Sequence, residues 1–249
     1  SMVALKVNTT PSEEGARTIY VKPIADETQL AYYEWVHNNI KKVNEMSNGQ
    51  IGYIHIPDMS TVGLDEFTKL FYTQLDKKAL IIDDRMNGGG NVSPMIIERL
   101  QREVYRMNMY RNGSEGLATI PESTHHGPKV CLVDKYSSSD GDLFPYGFQK
   151  LGIGPLIGTR TWGGIVGISG SKPYVDGQDV RTPFFTSYST DGKWILENEG
   201  VTPDIYVDIN PFEDYLGNDA QLKKAVEVLL EQIKTCPPLP GVPKPRVMD

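Results

Sequence analysis

Ser139 is the residue of this sequence that is best placed to act as a nucleophile. It lies in the segment Tyr-Ser-Ser-Ser-Asp-Gly-Asp, residues 136–142, between an apolar run and a predicted helix. A strand-to-helix turn raises a serine hydroxyl at the carboxyl end of a sheet, and the next backbone N–H points the same way, towards a developing oxyanion. A structural role is the alternative, because Ser139 and Asp142 have the spacing of a capping box and Asp140 suits the positive end of a helix.

A second candidate is the glycine-rich segment Asp-Arg-Met-Asn-Gly-Gly-Gly-Asn, residues 84–91. Consecutive glycines let a backbone approach a ligand closely and direct N–H groups at negative charge. The spacing fits neither the dinucleotide-binding Gly-x-Gly-x-x-Gly pattern nor a phosphate-binding loop, which needs a following Gly-Lys-Ser/Thr. We therefore predict a hydrogen-bond donor for an oxyanion, with a tight flexible connection as the alternative.

The histidines and one carboxylate complete the list of candidates. His55 lies in a predicted strand and is expected to be structural and hydrogen-bonded, while His37 is expected to pack on the apolar face of a helix. His125 and His126 occupy a polar loop and are predicted to be solvated. Neither His-x-x-x-His nor Cys-x-x-Cys occurs, so we predict no metal and no cofactor. Glu197 follows a short apolar run, where it is either a site residue or a surface acid.

The elements that must position these residues alternate between strand and helix. Apolar runs of strand length and amphipathic runs of helix length follow one another from residue 51, which predicts an α/β fold with parallel strands. The predicted strands are residues 3–7, 18–21, 51–56, 79–84 and 129–134, and the predicted helices are 26–48, 64–75, 93–107, 139–151 and 219–234. Glycine pairs and Asp-Gly steps in residues 154–208 predict hairpins there.

Composition limits the classes of partner. The 249 residues are 39% hydrophobic and carry a formal net charge of −7, so the chain can bury a core but has no basic field for nucleic acid. No stretch approaches the roughly 20 apolar residues of a membrane span. Cys131 lies inside an apolar run, where we expect a reduced, buried thiol.

Several segments in one order resemble the carboxyl-terminal core of tricorn proteases, within the tail-specific peptidase superfamily (S41). These segments are Ile-Gly-Tyr-Ile-His-Ile-Pro-Asp (51–58), the glycine loop, Ser139-Asp140-Gly141-Asp142, Gly-Thr-Arg-Thr-Trp-Gly-Gly (158–164) and the stretch from Glu197-Asn198 to Pro203-Asp204. The resemblance covers about residues 25–235. It implies a catalytic core over residues 25–249 with the crotonase/ClpP-like ββα superhelix, and the end of a truncated PDZ-like β domain over residues 1–24.

The resemblance also assigns roles to individual residues. They are Ser139 as nucleophile, the backbone N–H groups of Gly90 and Asp140 as oxyanion hole, Glu197 as the glutamate that completes the charge network, and Gly88, Gly89 and Asn108 as substrate-binding residues. At the position of Asn108 tricorn itself has an aspartate that favours basic residues before the scissile bond. The neutral side chain weakens the expectation of a trypsin-like preference.

The sequence differs from the family patterns in two ways that concern the general base. In tricorn-type enzymes the base is a histidine, preceded by a serine, that lies before the PDZ-like domain, and nothing in this sequence occupies that place. We therefore expect these residues to be part of a longer protein and to be inactive alone. Most tail-specific relatives instead use a lysine in a Thr-Phe-Gly-Lys-Gly motif, but here the stretch Thr161-Trp162-Gly163-Gly164 has glycine at that position. A serine–lysine mechanism is disfavoured.

The resulting hypothesis is a serine peptidase core that acts on peptides. The resemblance further implies a homo-oligomer, hexameric in the family, and a cytoplasmic location, although bacterial relatives are also exported. A binding module for peptides or hydrophobic ligands on the same scaffold is the main alternative. Crotonase-type chemistry on thioesters is disfavoured by the serine at a strand-to-helix turn.

Overall fold

The computed structural model describes residues 1–110, 118–170 and 173–244. Its helices are α1 (Thr28–Met46), α2 (Thr61–Tyr72), α3 (Ser93–Leu100), α4 (Asp140–Lys150), α5 (Pro211–Tyr215) and α6 (Ala220–Thr235). Its strands are β1 (Val3–Val7), β2 (Arg17–Val21), β3 (Ile51–His55), β4 (Ala79–Asp83), β5 (Arg106–Asn108), β6 (Ala118–Ile120), β7 (Lys129–Val133), β8 (Leu156–Gly158), β9 (Gly167–Ser169), β10 (Thr182–Phe185) and β11 (Ile205–Tyr206).

A five-stranded parallel sheet forms the centre of the fold, in the order β11-β8-β7-β4-β3. Every residue of β3, β4 and β7 is buried, which is typical of parallel strands covered on both faces. The predicted α/β class with parallel strands is confirmed. Because the carboxyl ends of parallel strands share one edge, the loops that follow β3, β4 and β7 meet there.

Side-chain alternation along the strands separates two packed faces. On one face Ile82 and Cys131 join α2, α3 and α4 in a core that includes Phe67, Phe144 and Phe148. The second face is covered by α6, which contacts β4, β7 and β8. Asp219 begins α6 by accepting a hydrogen bond from the backbone N–H of Leu222 at 2.9 Å, as expected for an N-cap. The expected buried thiol is confirmed at Cys131, and burial raises its pKa.

Two predicted regions differ from the structure. The helix predicted to reach residue 107 ends at Leu100, and residues 106–108 instead form β5, which pairs antiparallel with β6. Pairing with the next strand, β6, thus overrides a helical pattern that continues locally. In residues 154–208, β9 and β10 form the expected antiparallel pair, but β8 and β11 join the parallel sheet. Their short apolar runs have the signature of buried strands rather than hairpin arms.

The chain forms two compact units, Ser1–Asn39 and Ile40–Asp249. The first contains the antiparallel pair β1–β2, with Val3 opposite Val21, and most of α1, where the carboxylate of Asp26 accepts the backbone N–H of Thr28 at 2.9 Å. The second contains the parallel sheet. Within the described residues, no helix combines the length and the apolar character that a membrane crossing requires.

Candidate active site

Ser139 lies at the carboxyl edge of the sheet, in the turn between β7 and α4. It has φ 58° and ψ −121°, a conformation that non-glycine residues rarely adopt, and its side chain makes no capping hydrogen bond. The capping-box alternative is therefore wrong. Strained serines at strand-to-helix turns are typical of nucleophiles, because the turn holds the hydroxyl clear of the backbone.

The glycine loop after β4 lies directly against this turn. The backbone N–H of Ser138 donates to the carbonyl of Asn87 at 2.9 Å, and a Cβ added at Gly89 would lie 2.5 Å from the Cβ of Ser139. Gly89 also has φ 91°, which a side chain would disfavour. Glycine is thus required at residue 89, whereas a Cβ at Gly88 would meet no atom within 4 Å.

Gly90 forms a parallel β-bridge with Met59 that leaves the backbone N–H of Gly90 without an acceptor in the described part of the chain. Met59 donates its N–H to the carbonyl of Gly89 at 2.8 Å and accepts the N–H of Asn91 at 2.7 Å, which is the pattern of a parallel bridge centred on Gly90. In such a bridge the N–H of the central residue points away from the partner strand. Gly90 is exposed, and its N–H has no protein acceptor among the residues that the structure covers.

Asp140 heads α4, and its side chain is turned away from the nucleophile. Its carboxylate accepts the backbone N–H of Ser93 at 3.0 Å and also the Ser93 hydroxyl, which fastens the start of α4 to the start of α3. Its own backbone N–H belongs to the first turn of α4, where it has no intrahelical acceptor. The helix dipole adds positive potential at this amide, so it suits an oxyanion.

Glu197 is half-buried rather than a surface acid. One carboxylate oxygen, Oε2, accepts the backbone N–H groups of Ile165 at 2.7 Å and Val166 at 3.0 Å. The adjacent Gly164 carbonyl accepts the N–H of Ser139 at 3.1 Å. Glu197 is therefore connected to the nucleophile through the backbone of residues 164–165.

Asn108 is not brought to this cluster by any contact of the described residues. It lies in β5, opposite Ala118, and its side-chain oxygen accepts a hydrogen bond from the guanidinium of Arg106 at 2.6 Å. The connection between β5 and β6 is residues 109–117, of which 111–117 lie outside the described residues. The position of Asn108 relative to a bound substrate thus stays a prediction.

The four histidines differ in their surroundings, and two expectations about them are wrong. His37 is exposed and stacks on Tyr33 instead of packing in a core. His125 is buried, with Nε2 at 2.9 Å from the carbonyl of Lys77, and burial lowers its pKa to about 4. His125 is thus buried within a polar loop whose next residue, His126, is exposed as predicted.

The length of the sheet strands separates His125 and His126 from the nucleophile. Lys77 precedes β4, so His125 and its neighbour His126 lie at the amino edge, whereas Ser139 follows the carboxyl edge. A five-residue strand spans about 16 Å. His55 matches the structural prediction: it is buried, with Nε2 at 3.2 Å from the carbonyl of Arg85, and burial lowers its pKa.

Sequence reasoning missed a group of buried charges under the site. Arg85 pairs with Asp83 at 2.6 Å and with Asp219 at 2.8 Å, which connects the end of β4 to the start of α6. Asp84 is fully buried on the other face, where Oδ1 accepts from the Asn87 side chain at 2.9 Å and Oδ2 has no hydrogen-bond partner. The sequence feature that could have revealed this buried group is Asp-Asp-Arg, residues 83–85, at the end of a predicted strand.

Burial and neighbouring charge act together on Asp84. Desolvation raises its pKa well above the ordinary aspartate value, and the carboxylates of Asp83, Asp134, Asp140 and Asp142 raise it further. The described residues contain no group of three histidine, cysteine, aspartate or glutamate side chains that could hold a metal ion. The chemistry this arrangement supports is nucleophilic attack by a serine with backbone stabilisation of an oxyanion.

Comparison with known proteins gives concordant matches. The family model for peptidase family S41 matches residues 50–207. The tricorn protease of Thermoplasma acidophilum is 39% identical over 218 residues, which are 88% of this chain and 20% of that protein. The putative tricorn-like protease C-terminal subunit of Sulfurisphaera tokodaii is 41% identical over 219 residues, 88% of this chain and 25% of that protein.

A solved structure agrees with these sequence matches. The crystal structure of the tricorn protease superposes with a TM-score of 0.83 at 39% identity, over 88% of this chain and 21% of that one. The chain therefore spans about a fifth to a quarter of the length of the relatives it matches.

Proposed function

Because this chain belongs to peptidase family S41, we propose that it is the catalytic core of a serine peptidase with Ser139 as nucleophile. The observation that carries the proposal is the strained Ser139 turn, whose hydroxyl is not used as a cap and which lies against the glycine loop. Two backbone amides without protein acceptors, those of Gly90 and Asp140, supply the oxyanion hole.

The reaction follows from this geometry. The Ser139 Oγ attacks the scissile carbonyl carbon, its proton passes to a general base, and the carbonyl oxygen becomes an oxyanion that accepts the two N–H groups. Collapse of the tetrahedral intermediate expels the amine, which takes the proton back, and leaves an acyl-enzyme that water hydrolyses. An oxyanion-hole donor of this kind typically contributes about 10²–10³-fold to kcat.

The general base is a histidine supplied from outside these 249 residues. Within the described residues the Ser139 hydroxyl has no hydrogen-bond partner, and Gly164 stands where serine–lysine relatives have their lysine. General-base assistance is worth about 10²–10⁴-fold, so the 249 residues alone have negligible activity. Glu197 orients the base network through Oε1, the carboxylate oxygen that holds no backbone amide.

Substrates are peptides, and several further properties rest on the resemblance. Gly88, Gly89 and Asn108 contact the substrate, with no strong preference for basic residues because Asn108 is neutral. The complete protein is a cytoplasmic homo-oligomer. Residues 1–24 are the end of a PDZ-like domain, and residues 25–249 adopt the crotonase/ClpP-like superhelix.

The test compares the complete natural polypeptide with its Ser139→Ala variant on a fluorogenic peptide. We expect cleavage by the wild type, loss of turnover in the variant, and nearly unchanged peptide affinity, since the hydroxyl makes the covalent bond and the backbone makes most ground-state contacts. Cleavage that survives Ser139→Ala would overturn the proposal. Peptide binding without any cleavage by the complete polypeptide would instead favour the binding-module alternative.

A further inference from the structure

The backbone of residues 161–166 is shaped by two carboxylates from other parts of the chain. This segment has no regular secondary structure, yet four successive amides in it donate to side-chain oxygens. Those of Gly163 and Gly164 donate to Asp142 at 2.8 and 3.2 Å. Those of Ile165 and Val166 donate to Glu197 at 2.7 and 3.0 Å. We call Asp142 and Glu197 together the carboxylate clamp.

Asp142 closes a circuit of hydrogen bonds around the nucleophile. The N–H of Ser139 donates to the Gly164 carbonyl at 3.1 Å, and the N–H of Asp142 donates to the Ser139 carbonyl at 2.9 Å. The N–H of Gly164 in turn donates to Asp142 Oδ2 at 3.2 Å. Each of the three residues therefore fixes the next one, and the circuit includes the strained backbone of Ser139 itself.

We propose that Asp142 is a positioning residue for the peptidase reaction, which holds Ser139 in its strained conformation through the Gly164 carbonyl. The proposal rests on the function proposed above. Asp142 has no exposed surface and both of its oxygens are occupied by backbone amides, so it does not touch the substrate. Its negative charge lies at the positive end of α4, where such a charge is stabilised.

Local backbone structure positions both residues of the carboxylate clamp. Asp142 lies in the first turn of α4, three residues after Ser139, so the same turn of backbone carries both residues. Glu197 lies in a turn where Leu196 and Asn198 have φ 66° and 63°, and the N–H of Asn198 donates to the Gly163 carbonyl at 2.6 Å. Residues 161–166 are thus hydrogen-bonded both to Asp142 and to the turn that contains Glu197. These contacts fix the direction of the Gly164 carbonyl, which accepts the N–H of Ser139.

The test is Asp142→Asn in the complete natural polypeptide. Asparagine has the same shape as aspartate, but its side-chain NH₂ group would face one of the backbone N–H groups that now donate to Asp142, so one of the two hydrogen bonds is lost. We expect kcat to fall by about 10–10²-fold with KM within about twofold, since small displacements of a nucleophile cost factors of this size. Hydrogen exchange in a peptide covering residues 161–166 should become faster. The matched control is Asp204→Asn, which removes a carboxylate that accepts the Leu156 amide at 2.8 Å at the far edge of the sheet.

Each outcome decides the question. An unchanged kcat for Asp142→Asn, or a rise in KM alone, would overturn the positioning role while Ser139-dependent cleavage by the wild type upheld the peptidase. Wild-type cleavage that persists in Ser139→Ala would overturn the peptidase and the clamp together. If Asp142→Asn does not fold, Asp142→Ser takes its place, because serine is smaller and its hydroxyl can accept only part of what the carboxylate accepts, and normal kcat with normal exchange of residues 161–166 in that variant would overturn the proposal.

Discussion

Replacing Asp84 with asparagine should change how the stability of the protein depends on pH. Asp84 is fully buried, Oδ2 has no partner, and its pKa in the folded protein is raised well above the ordinary value by burial and by four nearby carboxylates. In the unfolded chain the same group titrates near pH 3.9. Above that pH the unfolded chain loses a proton that the folded protein keeps.

The sign and size of the effect follow from proton linkage. Because the folded state binds one more proton, stability falls as pH rises from about 4 towards the folded pKa, by about 1.4 kcal/mol per pH unit at most. Asparagine has the same shape and does not ionise. The free energy of unfolding of Asp84→Asn, relative to the wild type, should therefore increase by up to about 2.7 kcal/mol between pH 5 and pH 7.

Urea denaturation at pH 5, 6 and 7 measures this difference. Asp58→Asn is the control, because burial opposes ionisation there, but hydrogen bonds from Ser60 and Gly63 prevail and lower the pKa of Asp58. The stability that Asp58 contributes is lost only as pH falls below about 4, so its difference from the wild type should be constant from pH 5 to 7. Parallel pH profiles for Asp84→Asn and wild type would refute the reasoning.

Steady-state kinetics on the complete polypeptide checks three further expectations. Gly89→Ala should abolish turnover because its Cβ would collide with Ser139, whereas a Cβ at Gly88 meets no protein atom, so Gly88→Ala should lower kcat far less even though residue 88 contacts the substrate; equal losses of kcat would contradict this. Glu197→Gln should lower kcat by about 10–10³-fold with little change in KM, and a near-wild-type kcat would remove it from the site. Asn108→Asp should raise kcat/KM about tenfold for peptides with lysine or arginine before the scissile bond, and an unchanged preference would place Asn108 outside the specificity site.

The parallel sheet and the place of Ser139 could be predicted because both depend on local sequence. β3, β4 and β7 are mostly apolar runs of five residues between helical patterns, and such runs identify buried parallel strands. A serine that follows such a strand and precedes a helix must lie at the carboxyl edge of the sheet. The glycine loop after β4 had to reach the same edge.

Contacts between separate segments could not be predicted in this way. The helix predicted for residues 93–107 has apolar residues at helical spacing to its end, yet residues 106–108 pair with β6. His125 looked solvated among polar neighbours, but the carbonyl that binds it belongs to Lys77, 48 residues earlier. The periodicity of one segment carries no information about the partner that another segment provides.

The function of Asp142 was hidden for the same reason. Its spacing from Ser139 matched a local motif, the capping box, which explains the sequence without any distant contact. In the structure its oxygens bind amides 21 and 22 residues further on. An acidic residue in the first turn of a helix is so common that no local feature distinguishes the two roles.

The positive φ of Ser139 has an evolutionary consequence. A non-glycine residue in such a conformation costs about 1–3 kcal/mol, while glycine adopts it without a steric penalty. Selection for stability alone would therefore replace this serine with glycine, and alanine would bring no relief because it keeps the Cβ. A lineage that no longer needed the hydroxyl should drift to glycine here, so a serine at this position is what the proposed nucleophilic role leads us to expect.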